Sequence, residues 1–124
     1  MSESLRGVVA SHGTVAEALI GAVERITGIR DALVPVSNTD CDKGALEERI
    51  AQAAGDHPAV VFTDMASGSC LIAALTEARR HQAMQVVSGV NLAMLLDFVF
   101  HRDLEASAAA ERAAGAGQRA IRVP

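Results

Sequence analysis

Tryptophan and tyrosine are missing from this sequence, and three phenylalanines are the only aromatic residues among its 124. A chain so poor in π-faces cannot build a platform on which bases stack. With 11 Lys and Arg against 15 Asp and Glu it has no basic excess to track phosphates either, so nucleic acid is not expected as a partner. Cysteine is nearly as scarce. Cys41 and Cys70 form no CxxC pair and have no Cys or His at zinc-finger spacing, so they read as reduced thiols. Asn91 and Asp97 interrupt the greasiest stretch, Val90 to Phe100, and Met1 to Leu5 shows no basic segment leading into an apolar one. Neither a membrane span nor a signal peptide is expected.

What is present suits one folded unit. Half of the residues are hydrophobic and 21% are charged, which excludes an acidic disordered chain and supports a single core over residues 1–124. Together with the reduced thiols, this predicts a cytoplasmic α/β domain.

Short apolar runs alternate with helix-like periods along the chain. Gly7 to Ala10 is a valine-rich run that stops at the polar turn Ser11-His12-Gly13-Thr14. Val15, Ala18, Leu19, Ala22, Val23 and Ile26 then follow the i, i+3, i+4, i+7 rule up to Gly28, which predicts a helix with that face inward. Ala32 to Val36 repeats the strand pattern, the turn-prone Ser37 to Asp40 follows it, and a weaker helix carrying Leu46 and Ile50 reaches about Ala54. Glu47, Glu48 and Arg49 read as its wet face.

The best buried strand is Ala59 to Thr63, with Asp64 at its carboxyl end and a loop from Met65 to Ser69 behind it. Leu71, Ile72 and Leu75 mark the inner stripe of a helix ending at Arg80, and Gln85 to Val87 is a fourth strand. Asn91 suits the cap of a helix with Leu92, Leu95, Leu96 and Val99 inward. Asp103 suits the cap of an Ala-rich helix closed by Gly115 and Gly117, and Arg119 to Val123 reads as a last short strand. Such alternation predicts a three-layer α/β fold, with a four-stranded, mostly parallel sheet and helices on both faces.

Ligands of such sheets sit at the carboxyl ends of strands where the strand order reverses. Ser11-His12-Gly13 and Thr63-Asp64 occupy that position. A neutral imidazole attacks phosphorus when one ring nitrogen is free and the other is held by an acceptor, and a carboxylate is the usual holder. His12 and Asp64 suit those two roles, whereas singly each reads as readily as a loop histidine and a turn cap. Ser67, Gly68 and Ser69 at a helix N-terminus add backbone N–H groups, hydroxyls and a favourable dipole for an anion. His57, His81 and His101 read as solvated turn or helix-end residues. Cys70 reads either as a thiol activated by the helix N-terminus or, more simply, as a small buried residue.

Three segments also resemble, in order, the mannose-family enzyme IIA component of the bacterial phosphoenolpyruvate-dependent sugar phosphotransferase system. They are Gly7-Val-Val-Ala-Ser-His-Gly-Thr-Val-Ala-Glu-Ala-Leu, Val60-Val-Phe-Thr-Asp-Met-Ala-Ser-Gly-Ser and Val86-Val-Ser-Gly-Val-Asn-Leu-Ala-Met-Leu-Leu. The resemblance spans about Arg6 to Val123. It implies that His12 accepts a phosphoryl group from the phosphohistidine of HPr and passes it to a histidine on a IIB component. It implies further that Asp64 orients the imidazole, and that Thr14 and the loop Ser67, Gly68 and Ser69 receive the phosphoryl group. No metal and no organic cofactor are implied. The membrane components IIC and IID would be reached only indirectly, with the partners on separate polypeptides. A last antiparallel strand exchanged between the subunits of a homodimer is implied too, and Arg119 to Val123 is placed to be it.

This chain departs from the family pattern at two places. Ser67-Gly68-Ser69-Cys70 stands where Gly-Gly-Ser-Pro is usual, and Ala93 replaces the proline of a Val-Asn-x-Pro-Met-Leu stretch. Losing a proline there keeps every N–H donor, and Cys70 adds one. Ser67 would be strained by about 1 kcal/mol if the position requires a positive φ. Two other functions use the same fold: a regulatory module whose phosphorylation at His12 reports nutrient supply without transport, and a chelatase-type metal-binding protein. Genes for IIB, IIC and IID beside this one would favour transport over regulation. A metal site would need further ligands near His12, and the other histidines show no such spacing.

Overall fold

Buried on both faces, the central strands of a parallel sheet read as unbroken apolar runs, and two segments here do so. The computed structural model describes residues 4–124. Its elements are β1 (Arg6–Ser11), α1 (Val15–Thr27), β2 (Leu33–Ser37), α2 (Lys43–Ala54), β3 (Ala59–Thr63), α3 (Ser69–Arg80), β4 (Met84–Ser88), α4 (Leu92–Val99) and α5 (Ala106–Arg119). The sheet runs β2-β1-β3-β4 and every pairing is parallel. β1 and β3 are central. Pro35, which lacks an N–H, sits on the edge strand β2 opposite Val9, where a missing ladder donor is tolerated.

Alternate residues of the central strands feed two cores. Val9, Val60 and Phe62 pack with α1, α4 and α5, where the Phe62 and Phe98 rings meet edge to face with centroids 5.3 Å apart. Val8, Ala10 and Val61 pack with α2 and α3. Three layers and four strands are thus as the sequence predicts.

Two helices are turned relative to that expectation. α1 buries Ala16, Ile20 and Val23, while Val15 is 46% and Ile26 61% exposed. α3 buries Cys70, Ala73, Ala74 and Glu77 and leaves Ile72 and Leu75 half-exposed. The reason is distance rather than hydrophobicity: α3 lies close against α2 and the sheet, and small side chains on the inner face permit that approach. Glu47 is buried as well, not part of a wet face. Arg80 reaches Glu47 at 3.3 Å and Glu77 at 3.0 Å, and Lys43 lies 3.7 Å from Glu47, so a cluster of two cations and two carboxylates ties α2 to α3.

The C-terminal region also differs. Asp103 does not cap the Ala-rich helix; Glu105 holds the N-cap position without a side-chain bond, and α5 begins at Ala106. Gly115 and Gly117 do not end that helix, which runs through Arg119 because alanine and arginine are strong helix formers. Gly117 instead permits contact, since a Cβ there would overlap Met94, and its carbonyl accepts a 3.1 Å hydrogen bond from Asn91 Nδ2. Asn91 Oδ1 accepts from Met94 N–H at 3.0 Å, the cap expected for α4. Residues 121–124 have no regular structure and pair with no strand among the described residues, so the short strand expected over Arg119 to Val123 does not form within this chain, Arg119 itself ending α5.

Gly7 is a second position where no side chain fits. A Cβ there would overlap Leu33 and lie 2.7 Å from the Phe98 ring. Gly7→Ala is expected to destabilise the fold by about 1–3 kcal/mol, read from the urea midpoint; an unchanged midpoint would show that β1 and α4 are not packed this tightly.

Candidate functional site

The order β2-β1-β3-β4 sends the chain away from the central pair in opposite directions, through α1 to β2 on one side and through α3 to β4 on the other. The connecting loops therefore part above the carboxyl ends of β1 and β3. His12 follows the last residue of β1 and Asp64 the last residue of β3, so the sheet brings the two together from 52 residues apart.

One oxygen joins them. Asp64 Oδ2 accepts from the His12 backbone N–H at 2.9 Å and from His12 Nδ1 at 2.9 Å. An ionised carboxylate only accepts, so Nδ1 carries a proton, and in the neutral ring the lone pair then lies on Nε2. The His12 side chain is 47% exposed while that of Asp64 is 14% exposed. Burial by itself would push the Asp64 carboxyl up. The backbone and ring donors of His12, with the ring's charge, outweigh it and hold the group below its ordinary 3.8. Oδ1 of Asp64 is buried with no partner among the described residues.

Two helices point their N-termini at this pair. α1 starts at Val15; Thr14 occupies its N-cap position with no side-chain bond, and Ser11 Oγ accepts from Ala16 N–H at 2.8 Å instead. α3 starts at Ser69 behind Gly68, whose φ of 94° belongs to glycine. Gly68 has no side chain with which to cap α3, so the first-turn N–H groups and the positive end of the dipole are open to an anion. Ser67 has no positive φ, so the strain expected of it does not arise. Cys70 and Ala93 are each the second residue of their helices and not the first.

Ser67, Gly68, Ser69 and Thr14 are all exposed on this rim. Sequence reasoning passed over Asn38, whose Nδ2 donates to Ser69 Oγ at 3.4 Å from the loop after β2. Its signal was there in the polar cluster that ends a second strand. Cys70 is buried, and burial together with the Asp64 carboxylate pushes its thiol up to about 11. That direction is opposite to the activation a nucleophile needs and agrees with the reading of Cys70 as a small buried residue.

The remaining histidines lie elsewhere, and two are held rather than merely solvated. His57 Nε2 is 3.0 Å from Arg6 NH2, and His101 Nδ1 is 2.7 Å from the Asp97 carbonyl. His81 accepts from Ala83 N–H at 3.3 Å at the end of α3.

Comparison with known proteins follows the same lines. The family model EIIA-man, described as the PTS system fructose IIA component, matches residues 7–114. Among solved structures, the chain is similar to the phosphotransferase system component EIIA of Streptococcus agalactiae, with a TM-score of 0.88 at 17% identity over 96% of both chains. It is similar to the mannose/sorbose specific IIA subunit of Enterococcus faecalis, with a TM-score of 0.84 at 24% identity over 98% of this chain and 96% of that one. It is also similar to the PTS IIA protein associated with the fucose utilization operon of Streptococcus pneumoniae, with a TM-score of 0.72 at 18% identity over 99% and 96%. No curated protein matches. No helix among the described residues is long and apolar enough to cross a membrane.

Linkage gives the Asp64 contact a sign. A carboxyl with a depressed folded pKa contributes stability that is fully present above its unfolded value and is lost as the pH falls through the folded one. Asp64→Asn is expected to lower stability by about 1–3 kcal/mol at neutral pH. That difference should shrink below about pH 4, measured by urea unfolding at stepped pH; a difference that stays constant into the acid range would contradict the pairing.

Proposed function

The chain belongs to the EIIA-man family of phosphotransferase-system IIA components, which carry phosphoryl groups, and from that membership we propose that His12 is the phosphoryl acceptor. It takes the group from the phosphohistidine of HPr and hands it to a histidine of a IIB component. The observation that carries this is the His12 ring itself, tied through Nδ1 to Asp64 at 2.9 Å yet half-exposed.

Nε2 brings its lone pair to phosphorus as the P–N bond to the donor histidine breaks. No proton has to leave the attacking nitrogen. The ring becomes positive as the bond forms, and the Asp64 carboxylate, already holding the Nδ1 proton, stabilises that charge. Because phosphoryl transfer needs positioning and charge stabilisation more than covalent help, a small donor set suffices. The N–H groups of Ser67, Gly68 and Ser69 and the hydroxyls of Ser69 and Thr14 supply it. Val15 and Met65, 46% and 48% exposed beside His12 and Asp64, give a protein partner apolar surface to dock on. The group itself rides on a side chain, so no organic cofactor takes part. The protein works in the cytoplasm and meets the membrane components IIC and IID only through IIB.

The tail belongs to this proposal as the exchanged strand of a homodimer. Ile121 and Val123 are 76% and 99% exposed. Along the open edge of β4 runs a groove of about 330 Å³ between Gln85, Val86 and Ser88 and the α5 residues Ser107, Glu111 and Ala114. α5 lies parallel to β4, so a chain leaving its end and turning back along a β4 edge would run antiparallel to that strand.

Incubation with phosphoenolpyruvate, enzyme I and HPr is expected to add one acid-labile phosphate by intact mass, and none to His12→Ala. Asp64→Asn should accept it more slowly by on the order of 10²–10⁴-fold, the ring tautomer being wrong; acceptance at the wild-type rate would remove Asp64 from the orienting role. Deleting residues 121–124 should weaken the dimer on a sizing column, and an unchanged elution volume would count against strand exchange.

A further inference from the structure

Cys70 takes no part in the transfer above, yet its thiol faces the pair that does. A ring nitrogen of His12, a carboxylate oxygen of Asp64 and Sγ of Cys70 lie within 4.8 Å of one another. They come from the end of β1, the end of β3 and the first turn of α3. Imidazole, carboxylate and thiolate form a donor set that suits zinc-class ions and not magnesium or calcium. Zinc bonds of about 2.0–2.3 Å would bring such atoms to about 3.3–3.8 Å of one another, so shifts of about 1 Å close the set.

Two features beyond the cluster favour a cation. Asp64 Oδ1 is buried and has no donor among the described residues, so the carboxylate has capacity that its bonds to His12 leave unused. His12 is half-exposed, which gives an ion a route in and leaves a fourth position for water. The thiol stands where the resemblance places proline, so the third ligand is particular to this chain.

We propose that His12, Asp64 and Cys70 form a site for a zinc-class divalent ion that switches the phosphoryl acceptor off. The ion displaces the thiol proton to solvent and takes an imidazole lone pair. The ring then bears metal on one nitrogen and hydrogen on the other, so no lone pair remains to attack phosphorus. This inhibition rests on His12 being the acceptor, as proposed above, whereas the binding does not.

Cobalt(II) is the probe, because a thiolate ligand gives it a near-ultraviolet charge-transfer band. The full chain is expected to bind one equivalent with that band, to release it to zinc, and to be indifferent to magnesium. Cys70→Ala should lose the band and bind more weakly by on the order of 100-fold or more, while Cys41→Ala should keep both. Stoichiometric zinc should suppress phosphoryl acceptance by the wild type. For Cys70→Ala, compared with its own zinc-free rate, suppression should need on the order of 100-fold more zinc. No band, a band that persists in Cys70→Ala, or bound zinc that leaves acceptance unchanged would each overturn the proposal. Cobalt binding is read without HPr, so failure of phosphoryl acceptance in every condition would strike the acceptor role and leave the metal result standing.

Discussion

A single carboxylate oxygen, Oδ2 of Asp64, accepts both the backbone N–H and the ring Nδ1 of His12 at 2.9 Å. The rest of the molecule serves to hold those atoms there. The backbone bond fixes where the turn after β1 lies, and the ring bond fixes which nitrogen faces outward. Both depend on β1 and β3 being neighbours in register, with Ala10 opposite Thr63. A slip of one residue would move each side chain to the other face of the sheet, and the buried alternation of Val8, Val9 and Ala10 against Val60, Val61 and Phe62 opposes such a slip.

Close approach recurs as the means by which the helices support that register. Gly7 lets Leu33 and Phe98 cover β1, Gly117 lets α5 touch Met94, and small side chains let α3 settle beside α2. Asn91 serves twice, capping α4 with its oxygen and binding α5 with its nitrogen. Charge is used sparingly inside: the buried Glu47 and Glu77 share Arg80 between α2 and α3, so neither carboxylate is left without a cation.

Much of this was legible from residue order. Alternating strand and helix patterns place the four strands and the first four helices closely, miss the end of the Ala-rich helix and add a last strand at Arg119 to Val123 that this chain does not form; the strand-end positions of His12 and Asp64 pick out the pair before any distance is known. The helix faces were less legible. The stripe Val15, Ala18, Leu19, Ala22, Val23 and Ile26 has the right period for burial, but α1 fully buries only Val23 of it, together with Ala16 and Ile20, because those residues meet the sheet. Glu47 reads as wet until Arg80, 33 residues away, is seen beside it. Asn38 is legible only as part of the polar cluster that ends β2, and its bond to Ser69, like the approach of buried Cys70 to His12 and Asp64, depends on the tertiary fold. The Ala-rich helix overruns its glycines because helix propensity outweighs a stop signal that tertiary packing puts to another use.

Periodicity, composition and turn chemistry are local properties, and they were enough to determine the α/β class, the parallel sheet and the two strand ends at which His12 and Asp64 meet. Tertiary structure decided which side of each helix is inside, which charges are paired, and that a thiol lies against a histidine and a carboxylate. Those outcomes depend on distances between segments far apart in the chain. Such distances are set by the volumes of side chains that meet only when the sheet and its two layers of helices close on one another.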